Sequence, residues 1–188
     1  MLSKIFTPRF LFVTFAIILT AASRLIPHAP NFTSIGAMAL FGGALFADKR
    51  IALIIPLLAM FISDCILELV SGIGFHNTIL YVYASFVLIT FIGIYIRSNV
   101  RTGTIILASL ISSLLFFFIT NSAVWIAADF QNGFNGLLTA LIAGIPFYKN
   151  ELFGSFFFNT IAGDLFYCGI LFGSYYLAQL KFPALAKA

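Results

Sequence analysis

Asp64 and Glu68 stand four residues apart inside a long apolar run, which puts both carboxylates on one face of a helix. Asn121 and Trp125 repeat that spacing in a later run, and Asn159, Thr160, Asp164 and Tyr167 follow in the last one. Ionisable groups at membrane depth cost about 3 kcal/mol each by insertion scales, so they mark a ligand site, a pathway or an internal ion pair. Arg24 ends the first run and Glu151 begins the last, so the polar positions gather toward one end of the runs. Two readings follow. Arg24 neutralises Asp64 or Glu68 and fixes helix register, or these groups line a cavity open at that end. Asp164 lies deepest, where a substrate contact and a structural hydrogen bond are both open. His28 sits in Pro27-His28-Ala29-Pro30-Asn31, a stiff loop because each proline restrains its predecessor and lacks a donor. His76 sits in the glycine-containing loop Gly72-Ile73-Gly74-Phe75-His76-Asn77, from which an imidazole reaches over a cavity or stays plainly exposed.

The elements that must carry these residues are membrane helices. Of 188 residues, 62% are hydrophobic and 9% charged, with mean hydropathy +1.10, beyond what a water-soluble domain of this size tolerates. A spanning helix needs roughly 20 apolar residues to cross about 30 Å. Six runs approach that length, at 8–26, 32–47, 51–71, 78–96, 103–127 and 152–179. The expectation is an all-α integral membrane fold of six transmembrane helices in one domain, 1–188. Lys4, Arg9, Lys49, Arg50, Arg97, Arg101, Lys181 and Lys187 then fall on one side, with Arg24 and Lys149 on the other. By the positive-inside rule both termini are cytoplasmic and the polar cluster faces outward. The net charge of +4 thus reports topology and contact with anionic lipid. No basic stripe interleaved with polar residues exists for nucleic acid. The first run, with Lys4 and Arg9 before it, mimics a signal peptide, but a retained span is expected because later spans follow.

Before the last run, 136–147 is apolar but too short to cross and is broken by Gly144 and Pro146, which predicts an interfacial or re-entrant segment. Ala39, Gly43 and Ala47 recur every fourth residue and let another helix approach, within the molecule or from a partner. Cys65 and Cys168 lack ligand-spaced neighbours, so no disulfide or zinc site is expected. No nucleophile elbow, zinc-protease helix, phosphate-binding loop or Cys-x-x-Cys occurs, and no resident cofactor is implied. The expectation is a binding protein and not an enzyme. The alternative is a membrane enzyme using Asp64, Glu68 or Asp164 as acid or base on a lipid-borne substrate.

Residues 24–44 (RLIPHAPNFTSIGAMALFGGA), with Ser63-Asp64 and Gly74-Phe75-His76-Asn77, resemble a bacterial family of proposed transport proteins of unknown function. That family is related to the membrane-embedded substrate-binding S components of energy-coupling factor (ECF) vitamin transporters, and the chain is also similar to solitary cobalamin-binding S components. The resemblance implies a multi-pass protein of the bacterial inner membrane that takes a vitamin-like small molecule, cobalamin first among candidates, from the outer face. It implies ligand contacts at His28, Asn31, His76, Asn121 and Trp125, to which the polar pattern adds Asp64, Glu68, Asn77, Asn159 and Asp164. It further implies His76 as an axial ligand to the cobalt of a bound corrinoid. The partner implied is a transmembrane coupling subunit driven by two cytoplasmic ATPases. The docking positions would be Ala16 and Thr20, in place of the family's Ala-x-x-x-Ala, together with Ala39, Gly43 and Ala47.

Overall fold

The computed structural model describes residues 6–128, 130–145 and 154–185. Lys4, Lys149, Glu151 and Lys187 lie outside the described residues, as does the start of the run expected at 152–179. Among the described residues seven α-helices follow in chain order: α1 (Pro8–Ala22), α2 (Ile35–Leu45), α3 (Lys49–Ser71), α4 (Ile79–Ile96), α5 (Thr102–Ala127), α6 (Gly133–Ala143) and α7 (Phe156–Lys181). No strand occurs among the described residues.

Local sequence explains the boundaries. Thr7 caps α1 by accepting from the Phe10 amide at 3.1 Å, and Pro8 begins it where no hydrogen-bond donor is needed. Asp48 caps α3 through the amides of Arg50 (2.6 Å) and Ile51 (3.3 Å). Gly72, at φ 66°, ends α3 in the left-handed conformation that a side chain would disfavour. Along α1 the buried residues Val13, Ala16, Ile17, Thr20 and Ala21 form one stripe, while Phe15, Ile18 and Leu19 on the other face are more than half exposed. Apolar outer faces of this kind recur on α3 (Ile54, Leu58, Leu69) and α7 (Phe166, Ile170, Leu177). They are faces for lipid. Among the described residues, five helical stretches are long and apolar enough to cross a membrane: Pro8–Leu25, Lys49–Ser71, Ile79–Asn99, Thr102–Ala127 and Phe156–Lys181.

The run expected at 32–47 differs. It forms α2, 11 residues long and about 16 Å at 1.5 Å per residue, roughly half the apolar thickness. Ser34, outside the helical conformation, and an extended Phe46 bound the helix at either end. All 11 residues are buried, and α2 packs against α1, α3, α4, α5 and α7. It is the axis of the bundle. A Cβ on Gly43 would stand 2.9 Å from the Gly93 Cα, so α2 and α4 cross almost backbone to backbone. Both ends of α2 are answered by side chains from other helices. Asp164 on α7 lies at its N-terminus beside the Ala37 amide, where any Cβ on Gly36 would overlap the carboxylate, and Ser113 donates to it at 2.7 Å. Arg97 donates to the carbonyls of Gly43 (3.0 Å) and Ala47 (2.8 Å) at its C-terminus. A carboxyl group at the start and a guanidinium at the end both suit the partial charges of the helix termini.

The small-residue face is therefore spent internally. Ala16, Thr20, Ala39 and Gly43 are buried in the bundle and present nothing to a partner, because α2 needs their small volume to fit among its neighbours; Ala47 alone of the expected docking positions is exposed. At the opposite end of the chain, the turn Pro183–Leu185 returns against α1, and the Tyr175 hydroxyl donates to the Leu185 carbonyl at 2.7 Å. Gly43→Val should lower stability by about 3 kcal/mol through overpacking, while Gly169→Ala, which meets nothing within 4 Å, should be neutral. Thermal unfolding in detergent distinguishes the two.

Candidate functional site

Where α1, α3 and α5 end and α2, α4 and α7 begin, a cavity of about 910 Å³ opens between the segment 24–31, the loop 73–78, α5 and α6. That volume lies within the range of small-molecule sites, about 300–1,000 Å³.

Its floor is an ion pair. The turn Ser23–Leu25 after α1 carries Arg24 over α3, where its Nη2 meets Asp64 Oδ1 at 2.7 Å. The two side chains are 10% and 2% exposed. Arg24 also donates to Ser63 Oγ and, at 3.4 Å, to the Met60 carbonyl; the Tyr83 hydroxyl on α4 donates to the other Asp64 oxygen at 2.7 Å. Asp64 thus ties α1, α3 and α4 together at the level of the cavity.

Two pinned loops form the walls. In the proline loop, the Phe32 amide donates to the Ala29 carbonyl (3.0 Å) and Asn159 Nδ2 on α7 donates to the Pro30 carbonyl (2.8 Å). His28 Nδ1 donates to the Ile26 carbonyl at 2.9 Å; a carbonyl only accepts, so the proton is on Nδ1 and Nε2 is left free. In the second loop, Glu68 accepts from the Phe75 amide at 3.0 Å, and Gly74 lies so close to α3 that a Cβ would stand 2.6 Å from the Glu68 amide nitrogen. His76 Nδ1 pairs with Thr78 Oγ1 at 3.0 Å.

α5 and α6 close the remaining side. Asn121 Nδ2 donates to the Phe117 carbonyl at 2.8 Å, and Gly144 abuts the Asn121 amide oxygen with no room for a side chain. The expected interfacial segment is α6, short, with no buried residue and packed on α5. Trp125 stacks edge-on against Phe130 at 4.8 Å, at the corner between α5 and α6.

Among the expected contact residues, His28, Asn31, Asp64, His76 and Asn121 line the cavity. Glu68, Asn77, Trp125, Asn159 and Asp164 are not among the lining residues. Glu68 and Asn159 hold the loops from behind, and Asp164, 3% exposed, serves the N-terminus of α2. Lining residues that sequence reasoning left out include Thr33, Thr120 and the aromatic set Phe116, Phe117, Phe156 and Phe157. Thr120 lies one residue before Asn121, and that adjacency was the available signal; the phenylalanines, in a chain with 24 of them, carried none. Among the described residues no group of three or more His, Cys, Asp or Glu side chains is placed to hold a metal ion.

Removing one partner of a buried pair leaves an unanswered charge. Asp64→Ala and Arg24→Ala should therefore each cost about 3 kcal/mol of stability, and the double Leu variant less than the sum. Unfolding of the three variants in one detergent checks the ordering.

Over residues 4–185 the chain matches the model of a family of unknown function (DUF6580), and it belongs to that family. No curated protein and no solved structure matches it.

Proposed function

We propose that this member of the DUF6580 family is a membrane transport protein, an S-component-like subunit that binds a vitamin-like small molecule at the outer face, with cobalamin as the first candidate. The observation that carries this reading is the cavity itself: a ligand-sized space at one end of an apolar bundle, walled by two pinned loops that bring His28, Asn31, His76 and Asn121 to one volume.

The orientation supports it. Taking α2, half the length of a span, as the pass that carries the chain from the cavity end to Arg97, the helices α1, α2, α3, α4, α5 and α7 alternate in direction, and on this reading there are six passes with both termini on one side. Arg9, Lys49, Arg50, Arg97, Arg101 and Lys181 lie at the end away from the cavity, so the positive-inside rule turns the cavity outward from a bacterial inner membrane. Below the cavity the core is packed, with Phe41 edge-on to Phe172 at 5.1 Å, which favours a receptor over an open pore. A receptor of this kind needs a motor for uptake, and the proposed partner is a coupling subunit with two cytoplasmic ATPases. With the expected small-residue positions on α1 and α2 buried, docking would use the outer, lipid-facing faces. Asp64, the one carboxylate among the described lining residues, is committed to Arg24 and Tyr83 and is not free to act as acid or base, which supports binding without turnover.

His76 is exposed on its loop, and with Nδ1 on Thr78 its Nε2 is available as an axial ligand to a corrinoid cobalt. Purified protein titrated with cobalamin should shift the corrinoid absorption spectrum, and His76→Ala should abolish that shift. A wild-type protein that neither retains a small molecule through purification nor binds any vitamin in a panel would overturn the receptor reading.

A further inference from the structure

Three of the lining side chains are one-sided in their hydrogen-bond roles. The Thr120 hydroxyl donates to the Phe116 carbonyl at 2.8 Å, and the Thr160 hydroxyl to the Phe156 carbonyl at 2.9 Å. Each therefore turns lone pairs and no hydrogen toward a ligand. His28, its Nδ1 proton given to the Ile26 carbonyl, is left with the Nε2 lone pair in its neutral form. Asn121 spends one amide hydrogen on the Phe117 carbonyl, keeps the other and has its oxygen against Gly144. Asn31, Thr33 and Ser71 retain both roles, and the His76–Thr78 pair shares one hydrogen and keeps one.

The charges are equally one-sided. Arg24 is the one lysine or arginine among the described lining residues, and its Nη groups are spent on Asp64, Ser63 and Met60. An anion would meet no uncompensated cation. Helix dipoles do not supply one either, since three helices begin and three end at this level and the start of α2 is already answered by Asp164. Around the acceptors, the rings of Phe116, Phe117, Phe156 and Phe157 offer apolar faces and edges to a flat ring or an organic cation.

We infer that the part of the cavity lined by Thr120, Thr160 and His28 takes a flat heterocyclic or otherwise ring-bearing group through its N–H donors, neutral or cationic, and disfavours a carboxylate or phosphate at that position. The assignment rests on the reading of the cavity as a binding site and narrows the part of the ligand that meets these three residues. A carboxylate placed there leaves three acceptor groups facing an acceptor, and each unpaired buried contact weakens binding.

The test is a matched pair of probes, 2-aminoquinoline and quinoline-2-carboxylate, titrated by calorimetry into the full chain in lipid nanodiscs. The amine should bind at least about tenfold more tightly. Thr120→Val with Thr160→Val keeps the branched shape of both side chains and should erase most of that preference by weakening the amine alone. Equal or tighter binding of the carboxylate overturns the donor-ligand inference and leaves the binding site standing. Binding of neither probe by a protein that still retains a vitamin also overturns this inference alone. Binding of neither probe by a protein that retains nothing overturns it together with the receptor reading.

Discussion

A short helix with no surface of its own sets the terms for the rest of the molecule. Every residue of α2 is buried, and its start, where Gly36 meets Asp164 of α7, stops inside the bundle, away from the water that would satisfy the terminal amides. The chain answers with side chains from elsewhere, Asp164 at the beginning and Arg97 at the end. Each charge that would be expensive alone is placed where a helix terminus offers the opposite partial charge. Gly36, Gly43 and Gly93 are the spaces that let these contacts close.

Shortness also accounts for the cavity. Because α2 starts below the ends of its neighbours, the segment before it must descend from the end of α1 into the bundle, and the proline loop makes that descent without helix. The space left above the start of α2 is bounded by longer helices and roofed by the two loops and α6. The same Asp64 that cancels Arg24 also joins α1, α3 and α4, so the floor of the cavity and the tie between three helices are one structure.

Most of the helical plan was legible because apolar run length and caps report it directly. Asp48, Gly72 and Pro8 end or begin helices for local reasons that need no tertiary structure. The pairing of Arg24 with Asp64 was one of two open readings, and spacing favoured neither Asp64 nor Glu68; loop geometry decided it by giving Glu68 to the Phe75 amide. Asp164 stayed open between a contact and a structural hydrogen bond because depth alone does not tell a pocket from a helix terminus lying inside the protein. The 32–47 run was read as longer than the helix it forms for a related reason. Apolar character measures burial, and a segment buried by protein on all sides is as apolar as one buried by lipid. Phe116, Phe117, Phe156 and Phe157 were invisible for the opposite cause, since aromatic residues in a membrane protein are too common to mark a site by type.

The two groups that complete α2 enter the chain long after it does. Arg97 follows two helices later, at the end of α4, and Asp164 arrives with α7. During synthesis, therefore, α2 emerges too short to be held by the bilayer on its own and with its first amides unanswered. The expected order of assembly is from periphery to centre, the long helices first and α2 completed only when α7 delivers its carboxyl group, so that the chain's last hundred residues finish a job begun by its first fifty.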